Sequence, residues 1–71
     1  MDDETYLIRL GEKIRDLRKP KMTQVELAEK LGTKHPQVGR IESGKINSTI
    51  NMLRKIAKVL KVSVSELVDI E

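Results

Sequence analysis

Two polar side chains in the middle of the chain have the chemistry needed to recognise the edges of DNA bases. The guanidinium of Arg40 can donate to O6 and N7 of guanine together, and the carboxamide of Gln37 can pair with adenine in a similar two-point way. Val38 and Ile41 are spaced like the buried side of a helix, which turns Arg40 to the opposite side. The pattern therefore indicates an outward helix face that reads bases, with an ordinary solvated Arg40 as the alternative.

The chain lacks the groups of residues that catalysis or metal binding requires. No nucleophile, base and orienting partner occur in a recognisable arrangement. The chain also has no glycine-rich loop of the kind that binds phosphate. His35 is the only histidine and cysteine is absent, so no set of zinc ligands exists. We therefore expect a protein that is not an enzyme and needs no metal or other cofactor.

The face that carries Arg40 must be positioned by a second, preceding helix. Thr23 is a typical N-cap, Glu26 completes a capping box, and Gly32 stands where a left-handed residue ends a helix, which predicts a helix over residues 24–31. A further helix follows after only two or three residues and ends at Gly44. This tight junction, centred on residues 23–44, has the spacing of a helix-turn-helix.

Three more helices are predicted around this pair. A first helix from about Glu4 to Lys19 is stopped by Pro20, and a fourth carries apolar residues from Ile50 to Leu60. A short fifth helix begins with Ser63 as N-cap and Glu66 closing a second capping box. The sequence thus predicts an all-α fold of five helices in one domain, residues 1–71.

These patterns resemble the helix-turn-helix of the phage repressor and Cro family, also called the XRE family. The likeness lies in Gln24, Ala28, Gly32, Val38 and the run Ile41-Glu42-Ser43-Gly44-Lys45, and it extends through flanking segments over nearly the whole chain. The resemblance implies a compact five-helix, lambda-repressor-like DNA-binding domain.

The resemblance also assigns roles to individual residues. It places base-contacting side chains at four positions of the third helix: His35, Pro36, Gln37 and Arg40. Phosphate contacts are expected at the start of the second helix, ahead of the third helix and in the loop after it, from Thr23, Gln24, Lys34, Lys45, Asn47 and Ser48. A structural ion pair is implied between Arg18 and Glu42.

The sequence departs from the family pattern in two places and carries one unusual glycine. Lys34 stands where the family has a capping Ser or Thr, so either Thr33 caps the third helix or Pro36 takes its first position. Lys19-Pro20-Lys21 replaces a connection that normally contains glycine. Gly39 inside a helix either lets the DNA backbone or another helix pass close by, or is a tolerated imperfection.

The basic residues are concentrated in the body of the chain. All 14 lysines and arginines lie between Arg9 and Lys61, where only five acidic residues occur, and each end carries three negative charges. This distribution suits a phosphate-binding surface, although a lysine-rich solvated helical protein could have the same count. One Tyr and no Trp or Phe leave little aromatic surface for stacking single-stranded bases, which favours double-stranded DNA.

No apolar stretch reaches the roughly 18 residues of a membrane span, and the acidic start differs from the basic start of a signal peptide. We therefore expect a cytoplasmic protein.

Together these observations predict sequence-specific binding of double-stranded DNA by a homodimeric transcription regulator of repressor or controller type, on a pseudo-palindromic operator. The dimer contact is expected at apolar residues near the C-terminus, Val64, Leu67, Val68 and Ile70, joined by Met52 and Val59. The alternative is an antitoxin or other interaction module whose main partner is a protein, such as a toxin.

Overall fold

Helices account for all the regular secondary structure within residues 1–70, the part of the chain that the structure describes. In this computed structural model the elements are α1 Asp3–Arg18, α2 Gln24–Leu31, α3 His35–Glu42, α4 Ile50–Leu60 and α5 Val64–Val68. The prediction of an all-α fold with five helices is confirmed. Helix α1 begins and ends one residue earlier than expected, because Asp2 caps its start and accepts from the Thr5 N–H.

Four of the five helices begin at a side-chain oxygen that accepts an otherwise unpaired backbone N–H. Asp2, Thr23, Thr49 and Ser63 do this for α1, α2, α4 and α5. Helix α3 is the exception, because its N-cap residue is Lys34 and no side-chain cap bond is present. Local sequence therefore fixes where most of the helices start, and α3 must depend on other contacts.

The start of α3 differs from both alternatives that the sequence left open. Thr33 does not cap the helix, His35 takes the first helical position, and Pro36 follows at the second. A proline fits there because the first N–H groups of a helix have no partner within the helix.

The two predicted capping boxes differ in the structure. In α2 the Thr23 hydroxyl accepts from the Glu26 N–H, and the Glu26 carboxylate accepts from the Thr23 N–H, which lowers the pKa of Glu26. The bonded carboxylate supports the fold above its unfolded pKa, and this support is lost as the pH falls through the lowered value. In α5 only the Ser63 half forms, so that prediction was half wrong.

The core consists of apolar side chains from all five helices. The buried members are Leu10, Ile14, Leu27, Ala28, Leu31, Val38, Ile41, Leu53, Ile56, Ala57, Leu60 and Leu67. Helix α2 packs on α3 and α4, whereas α1 packs on α3 and α5. The helix-turn-helix pair is thus held between α1 on one side and α4 on the other.

Helix α1 lies very close to the end of α3 because glycines remove side-chain bulk there. A Cβ atom at Gly11 would lie 2.5 Å from the carbonyl oxygen of Ile41. Gly44 follows α3 with a left-handed φ of 75°, and a Cβ there would lie 2.7 Å from the Cα of Ile8. Both glycines are needed for the backbones to approach.

Side chains of α1 also hold the C-terminal segment. The Tyr6 hydroxyl donates to the Val68 carbonyl at 2.7 Å, and Lys13 Nζ donates to the Asp69 carbonyl at 2.8 Å. Lys13 Nζ also donates to the Glu66 carbonyl. These bonds satisfy carbonyl groups at the end of α5 that a helix leaves unpaired.

The same Gly→Ala substitution should have opposite effects at two helical glycines. A Cβ at Gly39 would meet nothing within 4 Å, so Gly39→Ala should raise the free energy of unfolding by about 1 kcal/mol through helix propensity. Gly11→Ala forces α1 away from α3 and should lower it by about 1–3 kcal/mol. Urea unfolding measures both, and shifts in the same direction would contradict the packing described here.

Candidate nucleic-acid interface

Helix α3 carries the four predicted base-contacting residues. His35, Pro36 and Arg40 are exposed and Gln37 is half-buried. On the opposite side Val38 is buried against the core, as is Ile41. Pro36, Gln37 and Arg40 line one depression of the surface, whereas His35 lines another together with residues at the start of α2. A Cβ at Gly39 would meet nothing within 4 Å, so no second helix within residues 1–70 lies against it.

The turn between α2 and α3 is compact and internally bonded. Gly32 has a left-handed φ of 71°, and the N–H of Thr33 donates to the Ala28 carbonyl at 3.0 Å. Leu31 and Val38 are buried on either side of this turn. The turn and this packing fix the angle between the two helices of the motif.

A buried ion pair anchors the far end of α3. Arg18 Nε lies 2.6 Å from Glu42 Oε2, and Arg18 Nη2 donates to Glu42 Oε1 at 3.0 Å. Arg18 Nη1 also donates to the Met22 carbonyl at 3.0 Å. Since Arg18 is 7% exposed and Glu42 is 3% exposed, this bidentate pair is shielded from water. It joins the end of α1, the end of α3 and the segment that leads into α2.

Two further hydrogen bonds extend this pair to the surface. Gln24 Nε2 donates to Glu42 Oε1 at 3.0 Å, and Gln24 Oε1 lies 3.2 Å from His35 Nε2. Arg18, Glu42, Gln24 and His35 thus form one hydrogen-bonded chain, here called the α3 relay, which runs from the core to the exposed start of α3. The family resemblance implied the Arg18–Glu42 pair but gave no sign of the two bonds of Gln24.

The predicted phosphate-contacting residues lie before and after α3 along the chain. Those at the start of α2, ahead of α3 and in the loop after it are exposed, except for the half-buried Gln24 and Ser48. The Thr23 hydroxyl accepts the Glu26 N–H, so its own proton remains free to donate. One hydrogen of the Gln24 amide likewise remains after its bond to Glu42.

The C-terminal residues differ in how much surface they offer. Val64, Val68 and Ile70 are half-buried and could contact a second molecule. Leu67 is 0% exposed and packs inside the monomer, so its assignment to a dimer interface was wrong. A helix as short as α5 is held in place only if it buries an apolar side chain in the core of the monomer, and Leu67 does this.

The outer side of α4 carries a cluster of basic residues, which their helical spacing in the sequence could have placed on one surface. Opposite the buried residues of α4 lie Asn51, Arg54, Lys55 and Lys58, all exposed, and the helix contains no acidic residue. The charge count indicated a basic body but did not assign these residues to one surface.

Within residues 1–70, no group of His, Cys, Asp or Glu side chains is arranged to hold a metal ion. None of the helices described is long and apolar enough to cross a membrane.

The arrangement of α2 and α3 agrees with comparisons to known proteins. The profile of the family described as Helix-turn-helix matches residues 14–67 of this chain. The chain belongs to the helix-turn-helix family. A relative from Archaeoglobus fulgidus, described as an uncharacterized HTH-type transcriptional regulator, is 38% identical over 56 residues, covering 78% of this chain and 80% of that protein.

Two solved structures resemble this helix-turn-helix protein over most of its length. The restriction-modification controller protein C.AhdI from Aeromonas hydrophila superposes with a TM-score of 0.81 and 31% identity, over 86% of this chain and 94% of that one. The clp gene regulator ClgR from C. glutamicum gives 0.84 and 25% identity, over 89% and 82%. The lambda-repressor-like fold and the XRE-type family are confirmed. The family is one of DNA-binding transcription regulators and not of enzymes.

Removing one member of the buried ion pair should destabilise the helix-turn-helix protein strongly. Glu42→Gln leaves the Arg18 guanidinium buried without a counter-charge, which should lower the free energy of unfolding by about 3–5 kcal/mol. Denaturant unfolding followed by circular dichroism measures the loss.

The matched control replaces both charges by apolar groups of similar length. An Arg18→Met, Glu42→Met double variant should recover most of the lost stability, because no unpaired charge remains buried. A Glu42→Gln variant as stable as the wild type would show that the pair is not shielded as described.

Proposed function

We propose that this protein regulates transcription by inserting α3 into the major groove of specific double-stranded DNA sites. The observation that carries this proposal is the exposed side of α3, on which His35, Pro36 and Arg40 stand clear of the core. A major groove about 12 Å wide admits one helix, provided that the helix projects from the protein body. Helix α2 and the ion pair with Arg18 support α3 from behind.

Base recognition is proposed for four residues of α3, namely the exposed His35, Pro36 and Arg40 and the half-buried Gln37. Arg40 lies one turn into the helix, where its guanidinium can reach O6 and N7 of guanine. Gln37 can pair with adenine, and His35 and Pro36 occupy the end of α3 that enters the groove first. The exposed side chains differ in hydrogen-bonding character, which is what discrimination among bases requires.

Phosphate contacts are proposed around this reading face. The N-terminus of α2 offers backbone N–H groups, the Thr23 hydroxyl proton and the remaining amide hydrogen of Gln24. Lys34 contributes ahead of α3, and Lys45, Asn47 and Ser48 contribute from the loop that follows it. Such contacts position the protein on the duplex and add affinity without selecting sequence.

Dimerisation is proposed through the C-terminal surface, with residues 1–71 as a single domain acting in the cytoplasm. Val64, Val68 and Ile70 leave apolar area partly uncovered, and Met52 and Val59 are also half-buried. A two-fold axis there would place two copies of α3 on half-sites one helical turn apart, so the operator would be a pseudo-palindrome. Protein bound at one or both half-sites of such an operator would repress or control transcription.

Binding to a pool of random duplexes, followed by selection and sequencing, tests the proposal as a whole. A two-fold symmetric motif whose affinity falls steeply with salt supports it. Failure to bind any duplex at low ionic strength would contradict it and favour a protein partner, such as a toxin, as the main ligand.

Arg40→Ala should relax selectivity at one base pair per half-site and leave stability nearly unchanged. Losing a bidentate guanine contact should cost about 1–3 kcal/mol of discrimination at that position. Operator variants with each base at each position, titrated by fluorescence anisotropy, measure the effect.

Lys45→Ala is the matched control, because it should weaken binding to all operators about equally and reduce the salt dependence by about one ion. If Arg40→Ala weakens all operators equally as well, Arg40 contacts phosphate and not a base.

Val68→Asp should shift the protein from dimer to monomer without unfolding it. The side chain is half-buried at the proposed contact, so a charge there repels its two-fold mate in the dimer but still reaches water in the monomer. Sedimentation equilibrium without DNA measures the change. Ile50→Asp is the control, since Ile50 is 66% exposed and lies outside the C-terminal surface. Equal effects of the two substitutions would contradict the proposed contact.

A further inference from the structure

The α3 relay has only one direction in which its hydrogen bonds can run. A carboxylate can only accept, so Glu42 takes bonds from Arg18 and from an N–H of Gln24. The amide nitrogen of Gln24 must therefore face Glu42, which turns its carbonyl oxygen toward the imidazole of His35. That oxygen accepts only, and His35 Nε2, 3.2 Å away, must carry a proton.

The direction of the relay determines which ring atom of His35 remains available. In a neutral imidazole one nitrogen carries hydrogen and the other accepts. Since Nε2 is the donor to Gln24, Nδ1 is left as an acceptor. His35 is exposed and stands at the first position of α3, among the residues proposed to meet DNA.

In the major groove the bases offer few hydrogen-bond donors. They are the exocyclic amino groups N6 of adenine and N4 of cytosine, whereas guanine presents N7 and O6 and thymine presents O4 as acceptors. We infer that neutral His35 reads an amino group of adenine or cytosine through Nδ1, and that the buried Arg18–Glu42 pair sets this choice through Gln24. The inference rests on the proposed function and adds which base edge the start of α3 accepts. Gln24 acts here as a positioning residue.

The direction of the relay can be tested in the free protein, without DNA. Because His35 is the only histidine, its two ring nitrogens can be identified directly by nitrogen NMR. At alkaline pH, where imidazole is neutral, the wild type should carry its proton on Nε2. Gln24→Ala should increase the fraction protonated at Nδ1. Gln37→Ala, which removes an amide on the helix of His35 but outside the relay, should not change it. A wild-type ring protonated at Nδ1 would overturn the inference.

The base contact is tested with operators from which single groups have been removed. Replacing the contacted adenine by unsubstituted purine, or the contacted cytosine by a pyrimidinone without the amino group, should weaken wild-type binding roughly tenfold. The same replacements should have no effect on His35→Ala. Comparing the two replacements also shows whether the contacted base is adenine or cytosine.

A purine that keeps its amino group but lacks N7 should bind the wild type normally. If loss of N7 weakens binding, or if the His35-dependent position selects guanine or thymine, then the ring donates and the inference is wrong. If the wild type binds no duplex at all, the proposed function fails, while the NMR result still decides the direction of the relay.

Discussion

The Arg18–Glu42 ion pair sets the position of α3, because it ties the last residue of that helix to the last residue of α1. Removing two charges from water costs several kcal/mol per ion, and only good geometry with additional bonds offsets this cost. Here Glu42 accepts from both Arg18 and Gln24, and Arg18 has a further acceptor in the Met22 carbonyl. An angle between α1 and α3 that broke these bonds would strand a charge in the core.

Such a constraint matters because α3 has little stability of its own. It has eight residues, fewer than the roughly 12–15 that an isolated helix needs in water, and no side chain caps its start. Gly39 weakens it further. The contacts that hold α3 in place come from its buried side, through Val38, Ile41 and Glu42, and from the close approach of α1 at Gly11. Apart from the bond between His35 and Gln24, the exposed side takes no part in these contacts, so its residues can differ in chemistry without changing the fold.

The sequence predicted features that depend on neighbours within one helical turn. The Thr23–Glu26 capping box gave the start of α2 to the residue, and Pro20 marked the end of α1 to within one residue. The start of α3 was harder to predict, because no side chain there competes for the free N–H groups. Leu67 was misplaced because a five-residue helix gives too short a pattern to separate inward from outward apolar positions.

The bonds of Gln24 lay outside the reach of sequence patterns for a different reason. Gln24 and His35 are eleven residues apart and meet only because the turn at Gly32 sets the angle between two helices. No spacing rule covers such a contact, since a change of a few degrees in that angle would separate the two side chains. The candidate surface could therefore be predicted from periodicity and the family resemblance, whereas the hydrogen bonds of Gln24 could be found only in the three-dimensional structure.

Helix α1 touches both functional ends of the molecule. Its last turn binds α3 through Arg18, while Tyr6 and Lys13 bind the backbone that closes α5. At 16 residues and about 1.5 Å per residue, α1 is a strut roughly 24 Å long. In a symmetric dimer joined at the C-terminal surface, a rigid α1 would hold each α3 at a fixed distance from the dimer contact. The distance between the two copies of α3 would then be fixed as well. Such a dimer would be sensitive to the distance between half-sites as well as to their base sequence.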